Sequence, residues 1–109
     1  MSDVVPLGTF EEQVMLAVVR TGDGAYGMNV RRELETVTGR EVTIGAVYAT
    51  LDRLEAKGLV TSARPLRGAS SSRRVFALTS AGAHALADTR EMRERLWRGV
   101  ELRGLLAQG

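Results

Sequence analysis

Cysteine is absent from this 109-residue sequence, and His84 is its one histidine. Disulfides, thiolate metal sites and cysteine nucleophiles are therefore excluded, and a single histidine leaves little for a metal centre or a general base. The sequence also lacks a glycine-rich phosphate loop and a serine, histidine and aspartate set that one small domain could assemble. These absences predict a protein that is not an enzyme and needs no metal or cofactor, with His84 at the surface or an interface.

Long apolar runs are also missing. No run approaches the roughly 18 residues that a membrane-spanning helix requires, and residues 1–6 lack the basic and apolar regions of a secretory signal. We therefore expect no membrane association and a cytoplasmic location. Aromatic residues make up only 5% of the chain, so aliphatic side chains must build most of one modest core.

Positive charge is concentrated in the middle of the chain. Residues 40–79 carry seven basic and three acidic side chains, whereas residues 1–39 carry three basic and six acidic ones. Such a distribution is expected where one face of a protein meets a polyanion. An uneven distribution by chance explains the same counts nearly as well, so charge alone does not decide the function.

Hydrophobic periodicity predicts three helices followed by a hairpin. Apolar residues recur at helical spacing in residues 9–20, 27–38 and 43–57, with Thr9 and Thr43 as expected caps. The alternation then changes to that of two short strands on either side of a loop rich in serine, glycine and arginine. A long helix beginning at Thr79 or Ser80 and ending near Leu105 completes a fold that is mainly α with a small β-hairpin.

The second and third helices match a helix-turn-helix in length and order. Val30, Leu34 and Val37 form the expected buried stripe of the second helix. The third helix is unusual because the face opposite its core stripe carries mostly small residues. A helix of this kind fits the major groove of DNA, and small side chains let its backbone approach closely.

Polar and basic side chains beside these small residues complete a candidate DNA-binding surface. Hydroxyl and guanidinium groups can donate to bases or phosphates, and the hairpin arginines can follow the DNA backbone or enter the minor groove. Alanine and glycine also mark helix packing, and Tyr48 could simply cover the core. The predicted DNA-binding residues are Thr43, Gly45, Ala46, Tyr48, Ala49, Thr50, Arg53, Arg67, Arg73 and Arg74.

Three segments resemble the PadR-like transcriptional regulators, over residues from Phe10 to about Leu86. Residues 43–60, TIGAVYATLDRLEAKGLV, are similar to the recognition helix of that family and its exit into the wing. Residues 26–27, Tyr-Gly, resemble the start of its second helix, and residues 73–82, RRVFALTSAG, resemble its second wing strand and the hinge that follows. One departure is Phe76, which stands where the family usually has tyrosine.

The resemblance implies a winged helix-turn-helix, a homodimer formed through the C-terminal helix, and repression that a small molecule releases. We accordingly expect residues 1–79 to form a winged-helix DNA-binding domain and residues 80–109 a C-terminal dimerisation helix, together one compact unit. The predicted partner is double-stranded DNA. An alternative is a winged-helix module that binds protein and has lost DNA, but such a module should lack the basic residues that this chain keeps.

The last helix has more apolar surface than a small core needs, so a second copy is its simplest partner. Some members of the family bind flat aromatic effectors against an aromatic side chain on this helix, which implies such a role for Trp97. Trp97 is otherwise ordinary dimer core. The residues assigned to the dimer and to a possible aromatic effector are Met15, Met92, Leu96, Trp97 and Val100.

Overall fold

The computed structural model describes residues 7–64 and 74–108 of the chain. The elements in chain order are α1 (Thr9–Thr21), α2 (Gly27–Thr38), α3 (Ile44–Ala56), β1 (Val60–Ala63), β2 (Val75–Leu78), α4 (Ser80–Trp97) and a short α5 (Arg103–Leu106), with a 3₁₀ turn at Gly22–Gly24. The expected fold, mainly α with a small hairpin, is confirmed. The predicted segments of the first three helices agree with the observed ones to within a residue or two, because capping and glycine signals were present at most of their ends.

The residue that caps the first helix differs from the predicted one. Gly8, and not Thr9, is the residue that precedes the first turn, and its N–H donates to the Glu11 carboxylate at 2.9 Å. Thr43 caps α3 as expected, with its hydroxyl accepting from the Ala46 N–H at 3.1 Å. A glutamate at the third residue of a helix can thus accept a hydrogen bond from the backbone N–H of the residue that precedes the helix.

The two strands form an antiparallel hairpin that is attached to the helices. Val60 pairs with Leu78 and Ala63 with Val75 at the two ends of the register. On its other side, the Phe76 N–H donates to the Ala25 carbonyl at 3.0 Å. This bond fixes the hairpin against the connection between α1 and α2, which is the arrangement of a winged helix.

The core contains side chains from all the main elements. Phe76, Met15, Leu51 and Leu54 are among its largest fully buried side chains. The assignment of Met15 to a dimer or effector contact is therefore wrong. The helical turn directs Met15 inward, while its neighbour Leu16 lies partly exposed on the outer side of α1.

The buried stripe of α2 is shorter than predicted. Val30 and Leu34 are buried, but Val37 is 57% exposed. Helical periodicity alone therefore overstated the length of the buried face of α2.

The last helix projects away from the core. Every described residue after Thr89 is exposed, and the radius of gyration is 16.3 Å, against about 13 Å for a compact chain of this length. The helix ends at Trp97 and not near Leu105, because the chain leaves the helical conformation at Arg98 and Gly99 has a φ of 79°. Among the described residues, no helix combines the length and the apolarity that crossing a lipid bilayer would require.

Candidate nucleic-acid interface

The exposed side of α3 carries four small residues together with one acidic and one basic side chain. We call it the outer face of α3, and it consists of Gly45, Ala46, Ala49, Asp52, Arg53 and Ala56. A Cβ atom added at Gly45 would meet no atom within 4 Å. The described part of the protein therefore leaves this face open, and four predicted contacts, Gly45, Ala46, Ala49 and Arg53, lie on it.

Two side chains of α2 hold the turn that leads into α3. Arg31 donates through Nε to the Val42 carbonyl at 2.8 Å, and the Val42 N–H donates to the Glu35 carboxylate at 2.9 Å. Gly39, with a φ of 70°, ends α2 in the left-handed conformation. The direction in which α3 leaves the turn is therefore fixed by hydrogen bonds to both backbone polar groups of one residue, Val42.

An ion cluster joins the start of α1 to one flank of α3. Glu11 is 8% exposed, and its Oε2 accepts from Lys57 Nζ at 2.8 Å and from Arg53 Nε at 3.4 Å. The hydrogen bond from Lys57, and then that from the Gly8 N–H, lower the pKa of the Glu11 carboxyl below its ordinary value, although burial acts in the opposite direction. Glu11 is therefore an anion at neutral pH.

The prediction that Thr50 contacts DNA is wrong. Thr50 is 2% exposed, so its side chain cannot reach a duplex. Its hydroxyl instead accepts from Arg53 Nη2 at 3.3 Å. Residue 50 lies on the core side of α3, one turn before Arg53, which explains both the burial and the contact.

A second ion cluster joins the hairpin to the opposite flank of α3. Arg74 donates from Nη2 to Asp52 at 2.8 Å, and its Nη1 lies 3.7 Å from Glu55. Its guanidinium also lies 4.9 Å from the centroid of the Phe76 ring. Arg74, which is predicted as a DNA contact, is paired with carboxylates of α3. Arg67 and Arg73 lie outside the described residues.

Tyr48 and Thr43 flank the outer face. The half-buried ring of Tyr48 lies so close to Gly27 that a Cβ atom at position 27 would overlap it. Packing therefore explains the glycine of the Tyr-Gly pair at residues 26–27, because Gly27 leaves the space that the Tyr48 ring fills. Thr43 is exposed at the helix start, and DNA contacts by Tyr48 and Thr43 stay predictions.

The surface of α4 presents the other predicted site. Leu96 is 69% and Trp97 is 56% exposed, and Met92 and Val100 are exposed as well. A groove of about 590 Å³ between α1 and α4 is lined by Leu16, Leu86 and Trp97. Four of the five residues assigned to the dimer or effector site are thus at the surface, and Met15 is not.

Sequence reasoning missed the two adjacent carboxylates Glu11 and Glu12. Both were interpreted only as favourable charges in the first turn of α1. Glu12, also 8% exposed, accepts two bonds from Arg93 Nη1 of α4 at 2.7 and 2.8 Å. The charged partners of these glutamates lie 42 to 81 positions away in sequence, so no local signal could have found them.

Comparison with known proteins agrees with this geometry. The model of the transcriptional regulator PadR-like family matches residues 15–88. RosR from H. salinarum, in a structure grown from NaBr, is 27% identical with a TM-score of 0.72, over 97% of this chain and 91% of that chain. The complex structure of hsRosR-S1 is 28% identical with a TM-score of 0.72, over 98% and 90%.

More distant structures share the fold alone. Wild-type MarR from E. coli is 20% identical with a TM-score of 0.56, over 94% of this chain and 73% of that chain. No curated protein matches the sequence significantly.

Proposed function

Since this chain belongs to the PadR-like family of transcriptional regulators and is a DNA-binding regulator, we propose that it acts as a homodimeric repressor that a small molecule releases. Residues 1–79 bind the duplex, and residues 80–109 form the dimerisation element. The protein acts by binding and not by catalysis, and it works in the cytoplasm.

The observation that carries this proposal is the outer face of α3. The major groove is about 12 Å wide and admits one helix, provided that bulky side chains do not hold the backbone away. Gly45, Ala46 and Ala49 meet this condition, and Thr43 lies at the first turn, where a recognition helix usually meets the base edges. Arg53 supplies a positive charge at the edge of the same face.

The hairpin provides the second contact. Arg67 and Arg73, at its tip in the sequence, bind phosphate or enter the minor groove beside the site of α3. Arg74 differs from them because Asp52 and Glu55 already hold its guanidinium. Its role is to tie the hairpin to α3.

Dimerisation follows from the exposed apolar surface of α4 and the residues after it. Large apolar side chains at this density are rarely left in water. A two-fold pair of such chains would present two copies of α3, to half-sites roughly 34 Å apart or a multiple of that distance. The dimer would therefore bind a near-palindromic site.

The groove beside Trp97 is the proposed site of the effector. Its apolar lining suits a flat aromatic compound, and Glu12 and Arg93 at its wall offer charge of both signs. A compound bound there would contact the α1–α4 ion pair, which connects the dimerisation helix to the winged helix.

The direct test is the substitution Ala49→Asp. Residue 49 is exposed, so we expect the melting temperature to stay unchanged. A carboxylate at the centre of the outer face should repel the duplex and reduce affinity at least about tenfold. Fluorescence anisotropy with a duplex selected from genomic fragments measures this loss.

Ala83→Asp is the matched control, because Ala83 is an exposed alanine that belongs to α4 and not to the outer face of α3. Wild-type affinity in Ala49→Asp, or failure of the wild-type protein to bind any duplex at low salt, would contradict the proposal.

A further inference from the structure

Arg53 is restrained at two of its nitrogen atoms in the free protein. Glu11 accepts from Nε at 3.4 Å and Thr50 accepts from Nη2 at 3.3 Å. Among the described residues, Nη1 has no partner. The guanidinium is therefore held from the α1 side while its remaining edge, on a side chain that is 54% exposed, stays open to solvent.

A restrained arginine binds DNA differently from a free one. An arginine on an open surface loses rotamer freedom when it makes a contact, which weakens binding, whereas a guanidinium already held in position loses less. The planar fork of the group also transmits direction, since fixing Nε and one Nη fixes where the other Nη points. A buried carboxylate behind the group is suited to this role.

We propose that Glu11 is a positioning residue for DNA recognition, which with Thr50 fixes the guanidinium of Arg53 at the place where the duplex meets α3. The inference rests on the proposed contact between the outer face of α3 and DNA. Glu11 itself does not touch the duplex. It acts through Arg53, and its bond to Lys57 anchors the carboxylate.

The neighbouring Glu12 makes the inference testable against simpler explanations. Glu12 lies in the same turn of α1, is equally buried, and pairs with Arg93 of α4 and not with α3. Glu11→Gln and Glu12→Gln therefore remove the same charge from nearly the same place. Only the first should alter how Arg53 is held.

The experiment is a double-mutant cycle on affinity for the selected duplex. Arg53→Ala is measured in the wild-type, Glu11→Gln and Glu12→Gln backgrounds, below the melting temperature of every variant. In the wild-type and Glu12→Gln backgrounds, we expect Arg53→Ala to reduce affinity about tenfold or more. In the Glu11→Gln background we expect Arg53→Ala to reduce affinity about threefold or less, because an arginine that is no longer held in position contributes less to binding.

Equal costs of Arg53→Ala in the Glu11→Gln and wild-type backgrounds would overturn the inference, as would equal reductions of that cost by Glu11→Gln and Glu12→Gln. Thr50→Val gives a second arm, which removes the acceptor of Nη2 and leaves every charge in place. We expect it to reduce the cost of Arg53→Ala as well, and an unchanged cost would count against the inference even if Glu11→Gln fails to fold.

These outcomes are distinct from failure of the proposed function. The proposed function fails if the wild-type protein binds no duplex or if Ala49→Asp leaves duplex affinity unchanged. Failure of the inference appears in a protein that binds DNA and loses affinity with Ala49→Asp, yet shows no coupling between positions 11 and 53.

Discussion

Gly82 shows how one residue determines where the last helix begins. A Cβ atom there would overlap the carbonyl oxygen of Leu59 and press on the Leu78 side chain. The same carbonyl accepts from the Thr79 N–H at 3.1 Å, and the Thr79 hydroxyl accepts from the Gly82 N–H at 3.0 Å. The first turn of α4 therefore packs directly on the backbone at the start of β1, which only glycine permits.

We predict that Gly82→Ala destabilises the protein by about 2 kcal/mol or more, because overlap with backbone cannot be relieved by rotating a side chain. Thermal or urea unfolding monitored by circular dichroism measures the loss. Gly104→Ala is the control, since a Cβ there would meet nothing within 4 Å. A melting temperature for Gly82→Ala equal to that of the control would show that α4 adjusts freely.

Residue types alone did not assign the polar side chains to their partners. Thr50 has the composition of a DNA contact but lies inside, where it holds Arg53. Arg74 has the composition of a phosphate contact but neutralises two acidic residues of α3. The burial of Thr50 and the ion pairs of Arg74 depend on the folded chain. The sequence showed only that these side chains are of a type that can contact DNA.

At the scale of elements, α3 is supported on both flanks. Glu11 of α1 binds one flank and Arg74 of the hairpin binds the other, while Arg31 and Glu35 hold the entry turn. These charge pairs are partly exposed, so each contributes little to global stability. Their effect is on the orientation of α3, since they fix the direction in which its outer face points.

The groove along α4 supports a prediction about Trp97, the single tryptophan of the chain. If a flat aromatic effector binds there, 2-naphthoate or proflavine should quench Trp97 fluorescence in a saturable way and weaken duplex binding. The ring would stack on the indole, which is 56% exposed in one protomer. Octanoate, an aliphatic acid, is the control and should not quench. Absence of saturable quenching by any planar aromatic compound would leave Trp97 as dimer core.

At the scale of the whole molecule, the chain is elongated and leaves apolar side chains exposed along its projecting end. The principal extents are 58 × 38 × 20 Å, and the exposed part of α4 carries Met92, Leu96 and Trp97. A short α5 adds Leu105 and Leu106, which are also exposed. A monomer would leave all these side chains in water.

We predict that Leu96→Asp converts the proposed dimer to a monomer, because a carboxylate buried between two copies without a partner is strongly unfavourable. Light scattering after gel filtration should report half the wild-type mass. Duplex affinity should fall more than about tenfold, because two separate monomers bind the two half-sites independently. Ala83→Asp places the same charge near the start of α4 and should leave the mass unchanged. A wild-type mass for Leu96→Asp would exclude this surface from the interface.

The sequence by itself determined most of the local structure of this protein. Helical periodicity, Thr43, Gly39 and the alternation in the hairpin specify the winged helix, because each acts within a few residues of the chain. The small residues of α3 and the motif of residues 43–60 predicted a DNA-binding role for this helix and indicated the family for the same reason.

Tertiary structure decided which polar groups pair between elements and which of two adjacent apolar residues lies inside. Met15 and Leu16 are adjacent and both apolar, yet only packing shows which of them is core. Glu11, Glu12 and Arg74 found partners on other elements, because ion pairs depend on distance in space and carry no period in sequence. The sequence prediction made the last helix too long, because no residue shortly before Gly99 signals the end of a helix.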